Sequence, residues 1–246
     1  MRTAHRHSGD PNYFELGAIL MAIDSAKAGF AMMELGAGTG PWTAQAACAV
    51  AARGIGPRHF LAVEAEPQRF LWLEENLTAN GIAPAERDLI RAVVFPSARQ
   101  DAQVMFPVGT PLFAGWGAKT QGAAGGAAPI TYAGRTEEAR LEPAPVVSLR
   151  SLFARSDRVY DIAHIDIQGA ELDVLADAAD LLQTRLRAIA IGTHSPAIDA
   201  GLTALFTGLG WRCVVAFGFG AGYEVDGRKV STAGLDGFQH WINPAL

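Results

Sequence analysis

The sequence predicts an α/β fold with a mostly parallel sheet of seven strands, covered by helices on both faces. Short apolar runs alternate along the 246-residue chain with longer segments of helical periodicity. Strands that are joined through helices run parallel, which accounts for most of the sheet. The last two apolar runs have no helical segment between them, so they are predicted to form an antiparallel hairpin at one edge.

The predicted elements follow from local signals. The strands comprise residues 30–35, 60–64, 89–95, 160–166, 186–191, 211–217 and 237–242. The helices comprise residues 13–28, 43–53, 67–80, 171–182 and 195–210. Pro67 suits the first turn of its helix, and Gly81 suits the position just after the last turn. Ser195 followed by Pro196 is typical of a helix start, and Gly210 ends that helix.

The composition favours one large domain over residues 1–246, with residues 1–29 as a helical extension at the amino end. The formal net charge is −5 and there is no dense basic run, so nucleic acid is not an expected partner. The apolar runs are too short, or too interrupted by glycine and proline, for stable membrane insertion. Cys48 and Cys213 lie far apart and are predicted to be buried thiols of a cytoplasmic protein.

One segment breaks the alternation of strands and helices. Residues 115–145 are rich in glycine and alanine. A connection of this length in a compact domain is usually a lid, a binding loop or a disordered segment. From the sequence, a lid over the site and disorder are equal alternatives.

A glycine-rich turn after the first strand predicts a nucleotide-like ligand. Its glycines are Gly36, Gly38 and Gly40, which is G-x-G-x-G rather than the G-x-G-x-x-G of dinucleotide sites. Pro41 follows directly, and the Gly-Lys-Ser/Thr ending of a Walker loop is absent. The spacing fits a loop that holds the amino-acid end of S-adenosylmethionine, whose carboxylate would accept from the loop N–H groups.

Two acids complete this predicted cofactor site. Glu34 ends the first strand, where it could reach the ligand's ammonium directly or through water. Glu64 ends the second strand, where a carboxylate can accept hydrogen bonds from ribose hydroxyls. The alternative for Glu64 is a solvated strand terminus.

A second group of polar residues follows the fourth and fifth strands. Asp166 ends the fourth strand, and Glu171 lies in the first turn of the next helix. His194 ends the fifth strand. Ligands of parallel sheets bind beyond the carboxyl ends of the strands, where the strand order reverses. Glu34, Asp166 and His194 are therefore predicted to converge on one crevice.

Four segments together resemble the FkbM family of S-adenosylmethionine-dependent methyltransferases. They are ELGAGTG from Glu34, LAVEAEP from Leu61, HIDIQGAELDVL from His164 and AIGTHS from Ala190. The resemblance covers residues 34–210, and HIDIQGAE is its most specific part. It implies a Rossmann-like class I methyltransferase fold, a three-layer sandwich, and O-methylation of a sugar, polyketide or similar metabolite. Family members often carry an acid at Gln168 and a lysine at His164, so the resemblance does not assign the catalytic base.

Methyl transfer from a sulfonium to a hydroxyl needs alignment and a destination for the proton. His194 is the first candidate base, because an unperturbed pKa of about 6.5 leaves it neutral near pH 7. Its alternative role is to cap the next helix or to bond a loop carbonyl. Asp166 could orient the acceptor, act as the base or contact the cofactor's ammonium, and its alternative role is a helix N-cap.

Two further expectations concern the surroundings of the site. Ser97, after the third strand, is predicted to contact the adenine edge of the cofactor. No metal is predicted, because Asp166 and Glu171 supply too few of the roughly six oxygens that a hard cation requires.

Other functions stay open from the residues alone. An NAD(P)-dependent oxidoreductase has a similar fold, but Pro41 and the absence of a Tyr-x-x-x-Lys pair argue against it. A protein that binds S-adenosylmethionine without catalysis is the third alternative. The expected partner is a small-molecule or glycan hydroxyl acceptor, and the sequence makes no prediction about the oligomeric state.

Overall fold

The computed structural model describes residues 12–99, 104–109, 126–132, 135–220, 223–225, 228–230 and 236–246. The α-helices are α1 (Asn12–Ser25), α2 (Pro41–Ala52), α3 (Pro67–Ala79), α4 (Leu149–Phe153), α5 (Glu171–Asp177), α6 (Ala179–Arg185) and α7 (Pro196–Gly208). The first seven strands are β1 (Phe30–Leu35), β2 (Arg58–Glu64), β3 (Arg87–Arg91), β4 (Val93–Val94), β5 (Val104–Val108), β6 (Gly126–Tyr132) and β7 (Arg135–Ala144). The others are β8 (Val146–Val147), β9 (Ile162–Ile165), β10 (Ala188–Thr193), β11 (Arg212–Phe217), β12 (Tyr223–Val225), β13 (Arg228–Val230) and β14 (Gly237–Ile242).

The main sheet has seven strands in the order β11-β14-β10-β9-β1-β2-β3. Five adjacent strands of this sheet pair in parallel, namely β10, β9, β1, β2 and β3. Strand β14 is antiparallel to both of its neighbours, β10 and β11. The predicted mostly parallel sheet with an antiparallel pair at one edge is therefore confirmed. The strand order reverses between β1 and β9, so the carboxyl ends of these two strands flank a crevice suited to a ligand.

The sheet is buried on both faces. Along β1, Met33 and Leu35 pack into the layer that contains α4–α7, while Phe30 and Met32 pack into the layer that contains α1–α3. All six residues of β1 are buried, as expected for a strand that is covered on both sides. This rigid central strand holds the glycine turn at its carboxyl end.

Two predicted elements differ in extent. The third main-sheet strand ends at Arg91, because Val93–Val94 leaves the sheet and pairs with Val146–Val147 in a separate two-stranded sheet. The predicted helix over residues 171–182 is broken at Ala178, whose backbone is not helical (φ −110°, ψ 17°). The first difference depends on pairing with a segment more than 50 residues away, which the local sequence does not reveal.

The glycine-rich insert contains regular structure in its described part. Strands β6 and β7 pair antiparallel, and β7 also pairs with β5, so the three strands form a small sheet. Residues 115–125, which belong to the predicted lid, lie outside the described residues. The lid itself stays a prediction.

Two further predictions concern the surface. Cys48 and Cys213 are both exposed, so the prediction that they are buried is wrong. Cys48 lies on the outer side of α2, whose buried side is formed by residues such as Ala47 and Val50. Among the helices of the described ranges, none combines the length and hydrophobicity that crossing a membrane requires.

Candidate active site

A cavity of about 390 Å³ lies at the carboxyl ends of β1, β2 and β9. It is bounded by the glycine turn, the end of β2, the segment after β3 and the segment after β9. Representative lining residues, one or two from each segment, are Gly36, Gly38, Glu64, Phe95 and Asp166. Four separate parts of the chain thus meet where the strand order reverses.

The glycine turn is held tightly between β2 and β9. The amides of Gly36 and Ala37 both donate to the carbonyl of Val63, at 3.0 and 2.9 Å. Gly36 has φ +79°, and a Cβ atom there would lie 1.8 Å from the carbonyl oxygen of Asp166. Only glycine fits this approach of two backbones, and the turn is therefore fixed beside Asp166.

Glu64 joins the end of β2 to the glycine turn. Its Oε2 accepts from the Gly38 amide at 2.7 Å, and its Oε1 accepts from the Glu66 amide at 2.8 Å. Burial raises the pKa of Glu64, and the two amides partly offset that effect. A carboxylate has about four acceptor positions, so acceptor capacity remains for a ligand hydroxyl at the cavity wall.

Glu34 is buried on the side of β1 that faces α1 and α2. Its Oε2 accepts from the Thr43 amide at 2.9 Å and also from the Thr43 hydroxyl. Burial raises the pKa of Glu34 to about 7, although nearby His164 and the bonds from Thr43 lower it. Glu34 is not part of the cavity wall, so its position supports an ordering role for the start of α2 rather than direct ligand contact.

Ser97 also lies away from the cavity wall. Its hydroxyl donates to Asp177 Oδ1 at 2.7 Å, and its amide donates to Asp177 Oδ2 at 3.0 Å. These bonds attach the segment after β3 to α5. In the same segment, Phe95 and Arg99 line the cavity, and the Arg99 guanidinium lies 4.5 Å from the centre of the Phe95 ring. The predicted segment thus reaches the cavity through residues other than Ser97.

Asp166 and His194 come together as the sequence predicts, but the third member of the group is Glu171 and not the predicted Glu34, which bonds Thr43. Glu171 is fully buried and accepts from the amides of Gly169 (3.0 Å) and Ile167 (3.2 Å). These amides converge because the chain turns sharply at Gln168, whose φ is +57°. His194 Nδ1 lies 2.9 Å from Glu171 Oε1, and His194 Nε2 lies 3.2 Å from Asp166 Oδ1. The imidazole therefore stands between two carboxylates.

This placement excludes two of the alternative roles. Helix α5 is capped by Ala170, so Asp166 is not its N-cap. Helix α7 is capped by Ser195, whose hydroxyl accepts from the Ile198 amide at 3.2 Å, so His194 is not that cap. Both residues are left free of a capping role.

The electrostatics change the argument for His194 as a base. Burial alone would lower the pKa of His194, but Asp166 and Glu171 outweigh it and raise the pKa to about 10. The premise that His194 is neutral near pH 7 is therefore wrong in this environment. Burial alone would raise the pKa of Asp166, but His194, with a smaller contribution from Gln168, holds it below its usual value. Asp166 therefore presents an ionised carboxylate to the cavity.

Two acids that lie near His194 and His164 were not identified from the sequence. Asp236 Oδ2 lies 3.6 Å from His194 Nε2, and Glu15 Oε1 lies 3.5 Å from His164 Nε2. A signal for Asp236 was available, because an antiparallel last strand begins at the edge where parallel strands end. No local signal marks Glu15, which approaches only because α1 packs beside β9 and β10.

The strand order, the glycine turn and the acid at the end of β2 define the class: a Rossmann-like class I methyltransferase. An rRNA methylase from Streptococcus thermophilus has a similar fold, with a TM-score of 0.52 and 10% identity over 97% of this chain and 99% of that one. The METTL16 methyltransferase domain is similar over 97% of this chain and 70% of that one, with a TM-score of 0.51 and 13% identity. At such identities the likeness concerns the fold alone.

The chain belongs to the FkbM methyltransferase family. The model of the methyltransferase FkbM domain matches residues 34–208, from the acid before the glycine turn to the end of α7. A protein of Jannaschia sp. (strain CCS1), named as a methyltransferase, is 28% identical over 201 residues, which is 80% of this chain and 67% of that protein. The resemblance found in the sequence is confirmed.

Proposed function

We propose that this methyltransferase uses S-adenosylmethionine to methylate a hydroxyl group of a small molecule or glycan. The observation that carries the proposal is the bond between Glu64 and Gly38, because it places the proposed ribose-binding acid against the glycine turn at the wall of one cavity. The cavity volume of about 390 Å³ is within the usual range for small-molecule sites.

The ligand is proposed to lie across the ends of β1 and β2. Its ribose hydroxyls donate to Glu64, and its amino-acid end lies against Gly36 and Gly38, which line the cavity. Its adenine occupies the end of the cavity lined by Val94 and Phe95, where apolar surface and an aromatic ring are available. The methyl group then points toward Asp166, the polar residue at the opposite wall.

The chemistry is an in-line displacement, which the protein promotes mainly by alignment. Asp166 is the proposed group that contacts the acceptor hydroxyl and accepts its hydrogen bond. Gln168 Nε2 donates to Asp166 Oδ1 at 2.7 Å, and His194 faces the same oxygen, so the carboxylate is held in place from two sides. His194 is not part of the cavity wall and acts as a positioning residue through Asp166.

The proposed cofactor site is tested by calorimetry with S-adenosylhomocysteine. Glu64→Gln should weaken binding by about 10- to 100-fold, the effect of losing hydrogen bonds to a charged group. Glu66→Gln is the matched control, because Glu66 is equally buried but caps α3 through the Arg69 amide. Equal affinities for the two variants would contradict the ribose role of Glu64.

The proposed reaction is tested with Asp166→Asn on a panel of hydroxyl acceptors. This variant should retain affinity for S-adenosylhomocysteine and lose about 10²- to 10⁴-fold in turnover. His194→Ala should lose turnover too, because Asp166 is then held from one side only. Thermal stabilisation by NAD but not by S-adenosylhomocysteine would favour an oxidoreductase. Binding without turnover of any acceptor would favour a non-catalytic role.

A further inference from the structure

Polar side chains from four elements converge beside the cavity. Asp166 follows β9, Glu171 lies in the first turn of α5, His194 follows β10 and Asp236 precedes β14. One ligand atom each from Asp166, Glu171 and His194 all lie within 4.8 Å of one another. From the sequence, only Asp166 and Glu171 were considered as metal ligands. The structure adds the imidazole of His194 and the carboxylate of Asp236.

Negative groups outnumber positive groups in this cluster. Three carboxylates face one imidazole, and within the described ranges no lysine or arginine forms an ion pair with any of them. The His194 side chain is only 5% exposed, yet neither ring nitrogen has a described hydrogen bond of acceptable direction. The nearest carboxylate oxygens are Glu171 Oε1, 2.9 Å from Nδ1, and Asp166 Oδ1, 3.2 Å from Nε2. A buried polar side chain without a well-directed partner indicates that a component of the site is missing.

We propose that a divalent metal ion binds here, with His194 Nε2 and the carboxylates of Asp166 and Asp236 as its ligands. Ligand atoms about 2.1 Å from an ion are roughly 3.0–3.4 Å apart in octahedral or tetrahedral geometry. The observed Nε2–oxygen distances are 3.2 Å to Asp166, which is within this range, and 3.6 Å to Asp236, which is slightly beyond it.

Glu171 completes the arrangement as an orienting residue. Metal-bound histidines usually donate their second N–H to a carboxylate, which fixes the ring. Glu171 Oε1 lies 2.9 Å from Nδ1 and is held by the backbone amides of Ile167 and Gly169. One imidazole with carboxylate oxygens suits a first-row divalent ion such as Mn²⁺.

The consequence for chemistry rests on the proposed function. An acceptor hydroxyl bound to the ion loses its proton to solvent more readily, because the ion stabilises the alkoxide. The alkoxide oxygen then forms a bond to the methyl carbon while the carbon–sulfur bond breaks, and the sulfonium becomes a neutral thioether. The released proton balances the reaction, and no further reactant is needed.

Electron paramagnetic resonance of Mn²⁺, titrated into the full-length chain, tests the site without requiring activity. The protein should bind one Mn²⁺ ion, and His194→Gln should weaken binding at least 10-fold. Asp236→Asn should weaken it too, and its 47% exposed side chain makes this variant safe for folding. Asp180→Asn, which changes an exposed acid that pairs with Arg150, is the control and should leave Mn²⁺ affinity unchanged.

Two outcomes would overturn the site. One is the absence of detectable Mn²⁺ binding, which would leave a protonated imidazole as the sole partner of the acids. The other is Mn²⁺ binding that neither His194→Gln nor Asp236→Asn affects. Calorimetry with S-adenosylhomocysteine separates this inference from the proposed function. If the nucleoside binds and Mn²⁺ does not, the metal site alone fails. If Mn²⁺ binds and the nucleoside does not, the proposed function fails.

Discussion

The two sides of the crevice satisfy their carboxylates in different ways. At the end of β2, both oxygens of Glu64 accept from backbone amides, at 2.7 and 2.8 Å. At the ends of β9 and β10, Asp166, Glu171 and Asp236 share one imidazole. The first side is completed by the fold alone, because backbone donors are fixed once the strands form. The second side depends on a proton or a cation that the surroundings supply. A ligand therefore meets a rigid wall on one side and a charged, adjustable wall on the other.

The largest loss of stability should come from Gly36→Ala, which disrupts the glycine turn on the rigid side of the crevice. The added methyl group meets the Asp166 backbone, and the left-handed conformation adds strain of about 1–2 kcal/mol. With an overpacking cost of about 1–3 kcal/mol, the free energy of unfolding in urea should fall by roughly 3 kcal/mol or more. Gly38→Ala is the control, because its Cβ would meet nothing within 4 Å, and it should cost about 1 kcal/mol. Equal losses would show that the two backbones do not approach as described.

The next-largest effect concerns the pH dependence of stability and depends on His240. This buried histidine of β14 has no ion pair with a carboxylate among the described residues. Burial, with a smaller contribution from Arg212, lowers the pKa of His240 to about 4. The unfolded chain, with a pKa near 6.5, binds the proton more readily, so stability is present above that pH and is lost as the pH falls toward 4. The expected loss is about 3 kcal/mol. His240→Gln should flatten this part of the pH profile in urea unfolding, and an unchanged slope would disprove the assignment.

Glu171→Gln tests the charged side with a smaller expected effect. Glutamine offers one acceptor oxygen where Glu171 uses both, so the Gly169 amide loses its second acceptor and the negative charge that faces the His194 ring is removed. The free energy of unfolding should fall by about 1–3 kcal/mol. Asp236→Asn, on the rim of the same cluster, should change it by less than about 1 kcal/mol. The reverse order would mean that the rim, not the interior, holds the cluster together.

The smallest effects concern the packing of α7, which follows His194, against α5, which carries Glu171. At Gly201 a Cβ would lie 2.3 Å from Leu172 Cδ2, so Gly201→Ala should cost about 1 kcal/mol after the leucine shifts. At Gly208, near the end of the same helix, a Cβ meets nothing within 4 Å. Gly208→Ala should stabilise the protein by about 0.5–1 kcal/mol, because glycine is a poor helix former. Chemical unfolding of both variants measures the difference.

The sequence predicted features that local signals determine. The apolar runs and the glycine turn are local, so the placement of Gly36, Glu64, Asp166 and His194 at strand ends followed from them. The convergence of Asp166 and His194 required one further step, the rule that parallel strands end at a common edge.

The features that were missed depend on contacts between distant segments. Val93 leaves the main sheet because its amide donates to the Pro145 carbonyl at 2.8 Å. The sequence near Val93 contains no pattern that predicts this distant partner. The raised pKa of His194 depends on Glu171 and Asp166 at hydrogen-bond distance, whereas the residue type alone suggests neutrality near pH 7. Cys48 was predicted to be buried from its apolar neighbours, but the direction of its side chain follows from how α2 packs.

The position of β14 has a consequence for biosynthesis. This strand is inserted between β10 and β11, and Asp236 enters the cluster at its amino end. Until residues 237–242 leave the ribosome, both of those strands keep open edges and the cluster lacks one acid. The acceptor side is therefore complete only once β14 has been synthesised, whereas the glycine turn is held by the earlier strands β1, β2 and β9.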